Sequence, residues 1–345
     1  MRALALEGVG GLEHLALREV PDPGPPAEGE LRIAVRAAAL NRLDLFMVNG
    51  LPGKPAAFPH VVGSDGAGVV ESVGSGVTHL RAGDRVMLNP GISCGTCPAC
   101  VRGDHPLCDT FAILGEHRGG TVAEFLVLPA VNAAPVPDSM SWAEAAAFPL
   151  ATLTAWRMLT TRARVQAGET VLIWGAGGGV SQAAIRIAAH LGARVIATSG
   201  SDEKLALARR LGAAETIDHA THDVVAEVKR ITGRRGADVV VDSVGEKTWP
   251  ASLRSIARGG RLVTCGATSG PHVEIDVRRL FWHQWTILGS TMGSRSEFAE
   301  IVALAHAGKL RPVVDSVVPL EDAVAAFRRL ASGEQAGKLV IEVSS

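Results

Sequence analysis

The chain has 345 residues, which is long for one domain and ordinary for two. Apolar residues make up 47% of it and charged residues 20%, so the sequence can bury a large core and is not of the disordered class. The net charge of −1 gives no electrostatic case for binding nucleic acid or an anionic membrane. We expect a cytoplasmic protein, because no leader segment is visible and no apolar run approaches the roughly 20 residues of a membrane span.

The first part of the chain is rich in short β-type runs bounded by Gly, Pro or Asp. These runs cover residues 2–6, 31–40, 69–73, 85–88 and 125–128. The pattern changes near residue 139, where Ser141 and Glu144 have the spacing of a helix capping box. An Ala-rich helical stretch follows, is interrupted at Pro149 and resumes over 154–161.

Strands and helices then alternate. We predict strands at 170–174, 194–198, 238–242, 260–265 and 286–289, and helices at 180–191, 202–211, 224–232 and 249–257. The tail returns to a helix, 320–331, and a strand, 338–343. Repeated β-then-α units of this length predict an α/β fold with a parallel sheet covered by helices on both faces. We expect His283, Trp282 and Trp285 to be packing residues.

Four of the five cysteines fall in one segment with the spacing C-x2-C-x2-C-x7-C. They are Cys94, Cys97, Cys100 and Cys108. Four thiolates satisfy tetrahedral Zn²⁺ and leave no position open for a substrate, so this pattern favours one structural zinc ion per chain. A disulfide is the weaker reading in a reducing compartment, and an iron–sulfur cluster also uses four thiolates.

A glycine-rich turn follows the strand at 170–174. Glycines let the backbone approach a pyrophosphate, and the helix after them offers free N–H groups and positive potential. The spacing departs from G-x-G-x-x-G, and an ordinary tight turn is the alternative. Because the turn lies in the first β/α unit, we expect a dinucleotide there. The turn consists of Gly175, Gly177, Gly178, Gly179 and Val180.

The end of the second strand of this region bears on the choice of cofactor. An NAD enzyme tends to place a carboxylate there, but this chain has Ser199, Gly200 and Ser201, with Lys204 one helical turn later. Hydroxyls and a lysine can hold a 2′-phosphate, so we favour NADP(H), with NAD(H) as the alternative. In the competing interpretation Lys204 is simply a solvated helix residue. Asp242 and Gly266 follow later strands and should line the cofactor groove.

The cysteine segment and the glycine turn, in this order, resemble those of the zinc-type alcohol dehydrogenase and quinone oxidoreductase superfamily of medium-chain dehydrogenases/reductases. Further matching segments are 63–70 (GSDGAGVV), 83–86 (GDRV), 120–125 (GTVAEF) and 153–156 (LTAW). The resemblance implies a GroES-like (chaperonin-10-like) β-barrel catalytic domain, 1–150 and 291–345, with the zinc lobe at about 91–110. A doubly wound Rossmann domain, 151–290, is inserted in it. It also implies a small-molecule substrate, a homodimer or homotetramer, and cofactor contacts near Thr154.

The sequence departs from the zinc enzymes of this superfamily at the catalytic metal. Their pattern places metal ligands where this chain has Asn41, Ser64 and Leu150, and none of these replaces a thiolate or an imidazole. Asn41 and the surroundings of Leu150 look like the zinc-free quinone and enoyl reductase branch. A rearranged site built from Asp44, His60, Asp65 or His117 is the alternative.

Without a metal, hydride transfer favours a quinone or an α,β-unsaturated carbonyl, which takes the incoming charge onto its own oxygen. We expect Asn41 to donate a hydrogen bond near the nicotinamide ribose or the developing enolate, and Asp44 to orient its loop; a loop-capping role is the alternative for Asn41. The chain has no Tyr to act as proton donor. An alcohol dehydrogenase with a non-standard metal, and a nucleotide-binding sensor or structural protein with little catalysis, remain competing functions.

Overall fold

The computed structural model describes residues 1–51 and 57–344. The chain forms two compact units, Met1–Ala151 with Gly293–Ser345, and Thr152–Met292. Among the residues described, no helix has both the length and the apolar character needed to cross a bilayer.

The strands and helices are numbered in chain order. The strands are β1 Arg2–Leu6, β2 Leu15–Glu19, β3 Glu30–Ala39, β4 His60–Val61, β5 Asp65–Val73, β6 Arg85–Leu88, β7 Gly91–Ile92, β8 Ala112–Ile113, β9 Phe125–Pro129, β10 Ala133–Pro135, β11 Thr170–Ile173, β12 Arg194–Ser199, β13 Glu215–Asp218, β14 Ala237–Val241, β15 Ile256–Thr264, β16 Thr286–Gly289, β17 Val314–Pro319 and β18 Lys338–Glu342. The helices are α1 Arg42–Asn49, α2 Pro98–Val101, α3 Trp142–Ala147, α4 Pro149–Trp156, α5 Gly179–His190, α6 Asp202–Arg210, α7 Val224–Ile231, α8 Trp249–Ser255, α9 Val277–His283, α10 Arg295–His306 and α11 Ala323–Ser332.

The first unit is built from both ends of the chain around a seven-stranded sheet. The strand order is β10-β6-β5-β3-β18-β17, with β9 also paired to β3. Strand β3 alternates partly exposed and buried residues along most of its length, as a strand with one face on a core should. A smaller sheet, β2-β1-β4, and the two-stranded antiparallel sheet β7-β8 complete this unit. Its core includes Leu31, Ile33 and Val35 of β3 and Phe327 of α11.

The second unit is an all-parallel six-stranded sheet in the order β13-β12-β11-β14-β15-β16. The order reverses between β11 and β14, as in doubly wound dinucleotide-binding folds. Strand β11 is buried along its whole length, because helices cover both faces of such a sheet. The predicted parallel α/β sheet is therefore confirmed.

Some local predictions are wrong. The helix expected at 249–257 ends at Ser255, because Ile256 pairs with Ala237 of β14 and begins β15. Helix α10 was not predicted, although Ser294 and Glu297 form a capping box at its start. Trp285 packs in the core as expected, but Trp282 is 66% exposed.

Candidate functional site

The four cysteines 94, 97, 100 and 108, called the cysteine cluster below, lie together. Their Sγ atoms are all within 4.8 Å of one another, and those of Cys94 and Cys100 are 3.9 Å apart. Zinc bonds of about 2.3 Å in a tetrahedron separate sulfur ligands by about 3.8 Å, so the cluster fits this ion. Because four sulfurs leave no open position, an ion held here is structural rather than catalytic.

Backbone hydrogen bonds prepare the cysteine cluster for a metal. The N–H groups of Thr96 and Cys97 lower the pKa of the Cys94 thiol to about 6. The Cys97 nitrogen lies 3.3 Å from the Cys94 sulfur, to which its N–H donates. The N–H of Cys94 in turn donates to Cys108 Sγ at 3.4 Å. Since the thiolate is the form that binds metals, these bonds favour the ligand state of Cys94 and Cys108, whereas burial raises the pKa of the Cys100 thiol to about 11.

A second group of side chains meets at one end of the seven-stranded sheet. Ala39 of β3 pairs with Asp65 at the start of β5, and also with Val340 of β18. Lys338 opens β18, and Asn41 follows β3 by two residues. Antiparallel pairing on both sides of β3 therefore brings Asn41, Asp65 and Lys338 together.

These three side chains form a closed triangle of hydrogen bonds. Lys338 Nζ donates to Asn41 Oδ1 at 2.6 Å and to Asp65 Oδ2 at 2.8 Å, and Asn41 Nδ2 donates to the same Asp65 oxygen at 3.0 Å. Lys338 is only 4% exposed and Asp65 is fully buried. Because the Lys338 ammonium and the Asp65 carboxylate are buried away from water, each needs the other as a partner. The triangle is therefore held together as one unit.

Asn41 uses both N–H groups of its carboxamide inside this unit. Besides the bond to Asp65, Nδ2 donates to the Ala39 carbonyl at 3.3 Å, a longer contact. Asn41 is also the N-cap of α1, where its side chain and that of Asp44 form a capping box, which is the alternative role considered for Asn41. The expected role of Asn41 as a donor to the substrate or the nicotinamide ribose therefore stays a prediction, and it requires the long bond to be exchanged.

Asp44 lies in the first turn of α1, next to the triangle formed by Asn41, Asp65 and Lys338. Its Oδ2 accepts the Asn41 backbone N–H at 2.6 Å, and Ser64 Oγ lies 3.5 Å from Oδ1. Burial raises the pKa of the Asp44 carboxyl to about 7, against the lowering effects of the Asn41 N–H and of the Lys338 charge. The geometry agrees with the expectation that Asp44 orients the loop carrying Asn41.

The three positions at which the resemblance places catalytic metal ligands converge here. Asn41 belongs to the triangle, Ser64 contacts Asp44, and the backbone N–H of Leu150 donates to Asp65 Oδ1 at 2.7 Å. The side chains present are an amide, a hydroxyl and an alkyl group, and the Lys338 ammonium contacts the amide and the neighbouring Asp65. This donor set does not fit a catalytic zinc ion.

The alternative metal site is not assembled either. His60 Nε2 bonds the Gly115 carbonyl at 3.0 Å, and His117 Nδ1 accepts the Ile113 N–H at 3.3 Å. In residues 1–51 and 57–344, the cysteine cluster is the one group of three or more His, Cys, Asp or Glu side chains gathered closely enough to hold a metal.

In the second unit, the glycine turn joins β11 to the start of α5. Gly175 has φ of +71°, a left-handed conformation that suits glycine, and Gly178 is the N-cap of α5. A Cβ on Gly177 would lie 2.7 Å from the Lys204 side chain, so this lysine lies directly against the turn. The turn, with Gly179 and Val180 in the first turn of α5, thus leaves backbone N–H groups at a helix N-terminus.

The predicted cofactor-selecting residues lie beside this turn. Ser199 ends β12 and its Oγ accepts the N–H of Ser201, the N-cap of α6, at 3.3 Å. Gly200 lies between them, and Lys204 reaches back to Gly177. Hydroxyls, backbone and a lysine therefore meet next to the glycine turn, a combination able to bind phosphate.

The remaining cofactor candidates have different surroundings. Thr154 is buried in α4, with Oγ1 3.9 Å from Met292 Sδ. Gly266 follows β15, at the carboxyl edge of the parallel sheet. Asp242 follows β14, and its buried carboxylate accepts bonds from Ser252 Oγ at 2.6 Å and from the Gly245 N–H at 3.1 Å, so it stabilises its own loop. Cofactor contacts by these residues stay predictions.

Lys338 was not predicted from the sequence as a site residue, and Asp65 was predicted only as an alternative metal ligand. The one local sign that the Lys338 side chain is buried is the apolar run 339–341 that directly follows it in the sequence. No pattern in the sequence pairs it with Asn41, which is 297 residues away.

We expect Asp44→Asn to flatten the pH dependence of stability. The carboxyl pKa is 3.8 in its ordinary state and about 7 in the folded chain, so the folded state binds an extra proton between these values. Wild-type stability should therefore fall as pH rises from about 4 to 7, with a contribution up to about 1.4 kcal/mol per pH unit. Urea unfolding between about pH 5 and pH 8 measures it, with the exposed Asp138→Asn as control. Equal slopes for wild type and Asp44→Asn would contradict this account.

Known protein families match sequence segments of both units. Residues 27–138 match the model of the alcohol dehydrogenase GroES-like domain, and residues 179–307 match that of the zinc-binding dehydrogenases. The expected GroES-like catalytic domain with an inserted Rossmann domain is thereby confirmed as the fold class.

Relatives cover the whole chain. It is 33% identical to a zinc-type alcohol dehydrogenase-like protein of Schizosaccharomyces pombe, over 99% of both chains. It is 30% identical to the quinone oxidoreductase of Rattus norvegicus, over 99% of this chain and 97% of that one. A crystal structure described as an NAD-dependent alcohol dehydrogenase superposes with a TM-score of 0.96 and 45% identity, covering both chains fully.

These relatives include both alcohol dehydrogenases and quinone oxidoreductases, and all are oxidoreductases that share both units with this chain. The cysteine cluster is compatible with the structural zinc of such proteins. The chain therefore belongs to the medium-chain dehydrogenase/reductase superfamily of zinc-type alcohol dehydrogenases and quinone oxidoreductases, and it is an NAD(P)-dependent oxidoreductase.

Proposed function

We propose that this chain is an NADPH-dependent reductase that transfers hydride to a quinone or an α,β-unsaturated carbonyl without a catalytic metal. The observation that supports it most is the triangle of Asn41, Asp65 and Lys338. At Asn41, one of the three positions where the superfamily pattern calls for a metal ligand, an amide is bonded to a neighbouring carboxylate and to an ammonium ion. A site of this composition offers hydrogen bonds and fixed charge to an acceptor, and no vacant metal coordination.

The acceptor class follows from what these residues can supply. NADPH, when bound, supplies the hydride. A conjugated acceptor spreads the added charge onto its own carbonyl oxygen, and the resulting anion then takes a proton from water. Such an acceptor therefore needs orientation and a hydrogen-bond donor but no Lewis acid. Asn41 Nδ2 can supply that donor by exchanging its 3.3 Å bond to the Ala39 carbonyl. Asp44 keeps the Asn41 backbone in place through the 2.6 Å bond to its N–H.

A substrate panel tests the acceptor class. We expect NADPH oxidation with benzoquinones, phenanthrenequinone and cyclic enones, and no NADP⁺ or NAD⁺ reduction with primary or secondary alcohols. The second candidate, an alcohol dehydrogenase with a non-standard metal, is favoured by the relatives that carry that name. Oxidation of alcohols at rates above those of conjugated acceptors would support this candidate and contradict the proposal.

The metal content separates the same two functions, and the purified active chain should contain about one zinc ion. Cys97→Ser should lose this ion and lower stability, because it removes a ligand of the cysteine cluster. Cys265→Ser, outside the cluster, is the matched control and should keep the ion. Two ions per chain, with turnover proportional to the second, would contradict metal-free chemistry.

The preference for NADPH is supported by the hydroxyl of Ser199 and by Lys204 beside the glycine turn. A carboxylate at position 199 would repel a 2′-phosphate and accept from a ribose 2′-OH. We expect Ser199→Asp to move the kcat/KM ratio of NADPH to NADH toward NADH by at least about tenfold.

Lys204→Gln should lower kcat/KM for NADPH and leave that for NADH nearly unchanged. The exposed Lys229→Gln is the matched control and should change neither. A wild-type chain that uses NADH better than NADPH would overturn this part of the proposal.

We also propose that the chain assembles as a homodimer or homotetramer through the face formed by α9 and β16. Strand β16 lies at the edge of its sheet, and Val277, Phe281 and Trp282 on α9 are each more than 60% exposed. An edge strand beside exposed apolar side chains suits pairing with a second copy of itself.

Light scattering after size exclusion tests this interface. The wild type should have the mass of two or four chains, and Trp282→Lys should reduce it. Val317→Lys changes an exposed residue of β17, so it should leave the mass unchanged. A wild-type monomer, or a Trp282→Lys variant with unchanged assembly, would contradict the assignment.

A further inference from the structure

We propose that Lys338 is a positioning residue for the reaction. Its ammonium group, held by Asp65, determines which edge of the Asn41 carboxamide is offered to the acceptor oxygen. The proposal rests on the proposed function in one respect, the role of Asn41 as the donor. It adds a residue that lies 297 positions away in the chain.

The charges around Asn41 permit one orientation of its amide. A lysine ammonium has three donors and no acceptor, so the group facing it at 2.6 Å must be the amide oxygen. The amide nitrogen then faces the Asp65 carboxylate, an acceptor, at 3.0 Å. A flipped amide would set N–H against ammonium and oxygen against carboxylate, so both contacts would become repulsive.

The ammonium group is itself fixed. Asp65 Oδ2 accepts from Lys338 at 2.8 Å, and Asp65 Oδ1 accepts from the backbone N–H of Leu150 at 2.7 Å. Asp65 is fully buried and Lys338 nearly so, which keeps water from replacing either partner. The orientation of Asn41 is thus tied through Asp65 to the start of α4.

The two N–H bonds of the Asn41 amide are unequal. The bond to Asp65 is the shorter, and the bond to the Ala39 carbonyl is 3.3 Å long. The N–H directed at Ala39 is the one that an acceptor oxygen can take over while the bonds to Lys338 and Asp65 stay in place. Because Lys338 withdraws electron density through Oδ1, this N–H is also a stronger donor than that of an isolated amide.

The experiment replaces the charge of Lys338 and follows the steady-state kinetics. Lys338→Met keeps a stem of similar length without charge or donors, Lys338→Arg keeps both, and the exposed Lys309→Met is the matched control. We expect Lys338→Met to lower kcat at least about tenfold while KM for NADPH stays within about twofold. Lys338→Arg should recover most of the loss, and Lys309→Met should behave as wild type.

A double variant keeps the test valid if Lys338→Met fails to fold. Lys338→Met with Asp65→Asn removes both charges, so no buried carboxylate is left without a partner. Circular dichroism and zinc content establish that this variant is folded. Since the two charges that set the orientation of the Asn41 amide are then gone, the same loss of kcat is expected. A folded double variant with the kcat of the wild type would overturn the proposal.

A mutant cycle shows whether Lys338 acts through Asn41. In an Asn41→Ala background, Lys338→Met should change kcat by less than about twofold, because the group that it positions is gone. Losses that multiply in the double variant would mean that Lys338 acts independently and would overturn the proposal.

The outcomes also distinguish this proposal from the proposed function. If the chain oxidises alcohols and reduces no conjugated acceptor, the proposed function fails, and the same variants and cycle are measured in alcohol oxidation. Strong coupling there would support the role of Lys338 by itself. A chain that turns over neither class would overturn both.

Discussion

The buried ion pair between Lys338 and Asp65 is the interaction on which the site of the first unit depends. Taking two charges out of water is costly, and leaving one of them without its partner destabilises a protein by about 3–5 kcal/mol. Both charges of the pair must therefore be retained together, and the pair fixes the position of the groups bonded to it. Through Asp65 it holds the start of α4 at the Leu150 N–H, and through Lys338 it holds the carboxamide of Asn41.

The proposed function requires that the chain has one metal site, at the cysteine cluster, without the catalytic one. The cysteine cluster is local, since its four sulfurs come from residues 94–108 and need only their own loop. The positions of Asn41, Ser64 and Leu150 come from distant segments that the ion pair now joins. In the proposed function, charge and hydrogen bonds take the place of metal coordination there, which suits an acceptor that stabilises its own added electrons.

Local signals made part of this structure predictable. Cysteine spacing, the glycine turn and the β/α alternation each depend on residues close in sequence, and the parallel sheet and the cysteine cluster follow from them. The prediction of a helix over 249–257 is wrong at its C-terminal end, because the pairing of Ile256 with β14 overrides the local helical preference. Lys338 was beyond prediction, because only the pairing of β18 and β5 with β3 brings it to Asn41.

The central claim is that hydride reaches the acceptor beside a protein-borne cation instead of a metal ion. Anomalous diffraction at the zinc absorption edge, from crystals of the active chain with NADPH and an enone, tests this most directly. The account predicts one anomalous peak per chain, at the cysteine cluster, with Lys338 still bonded to Asn41 and Asp65. A second peak within bonding distance of Asp44, Ser64 or Asp65 would contradict it.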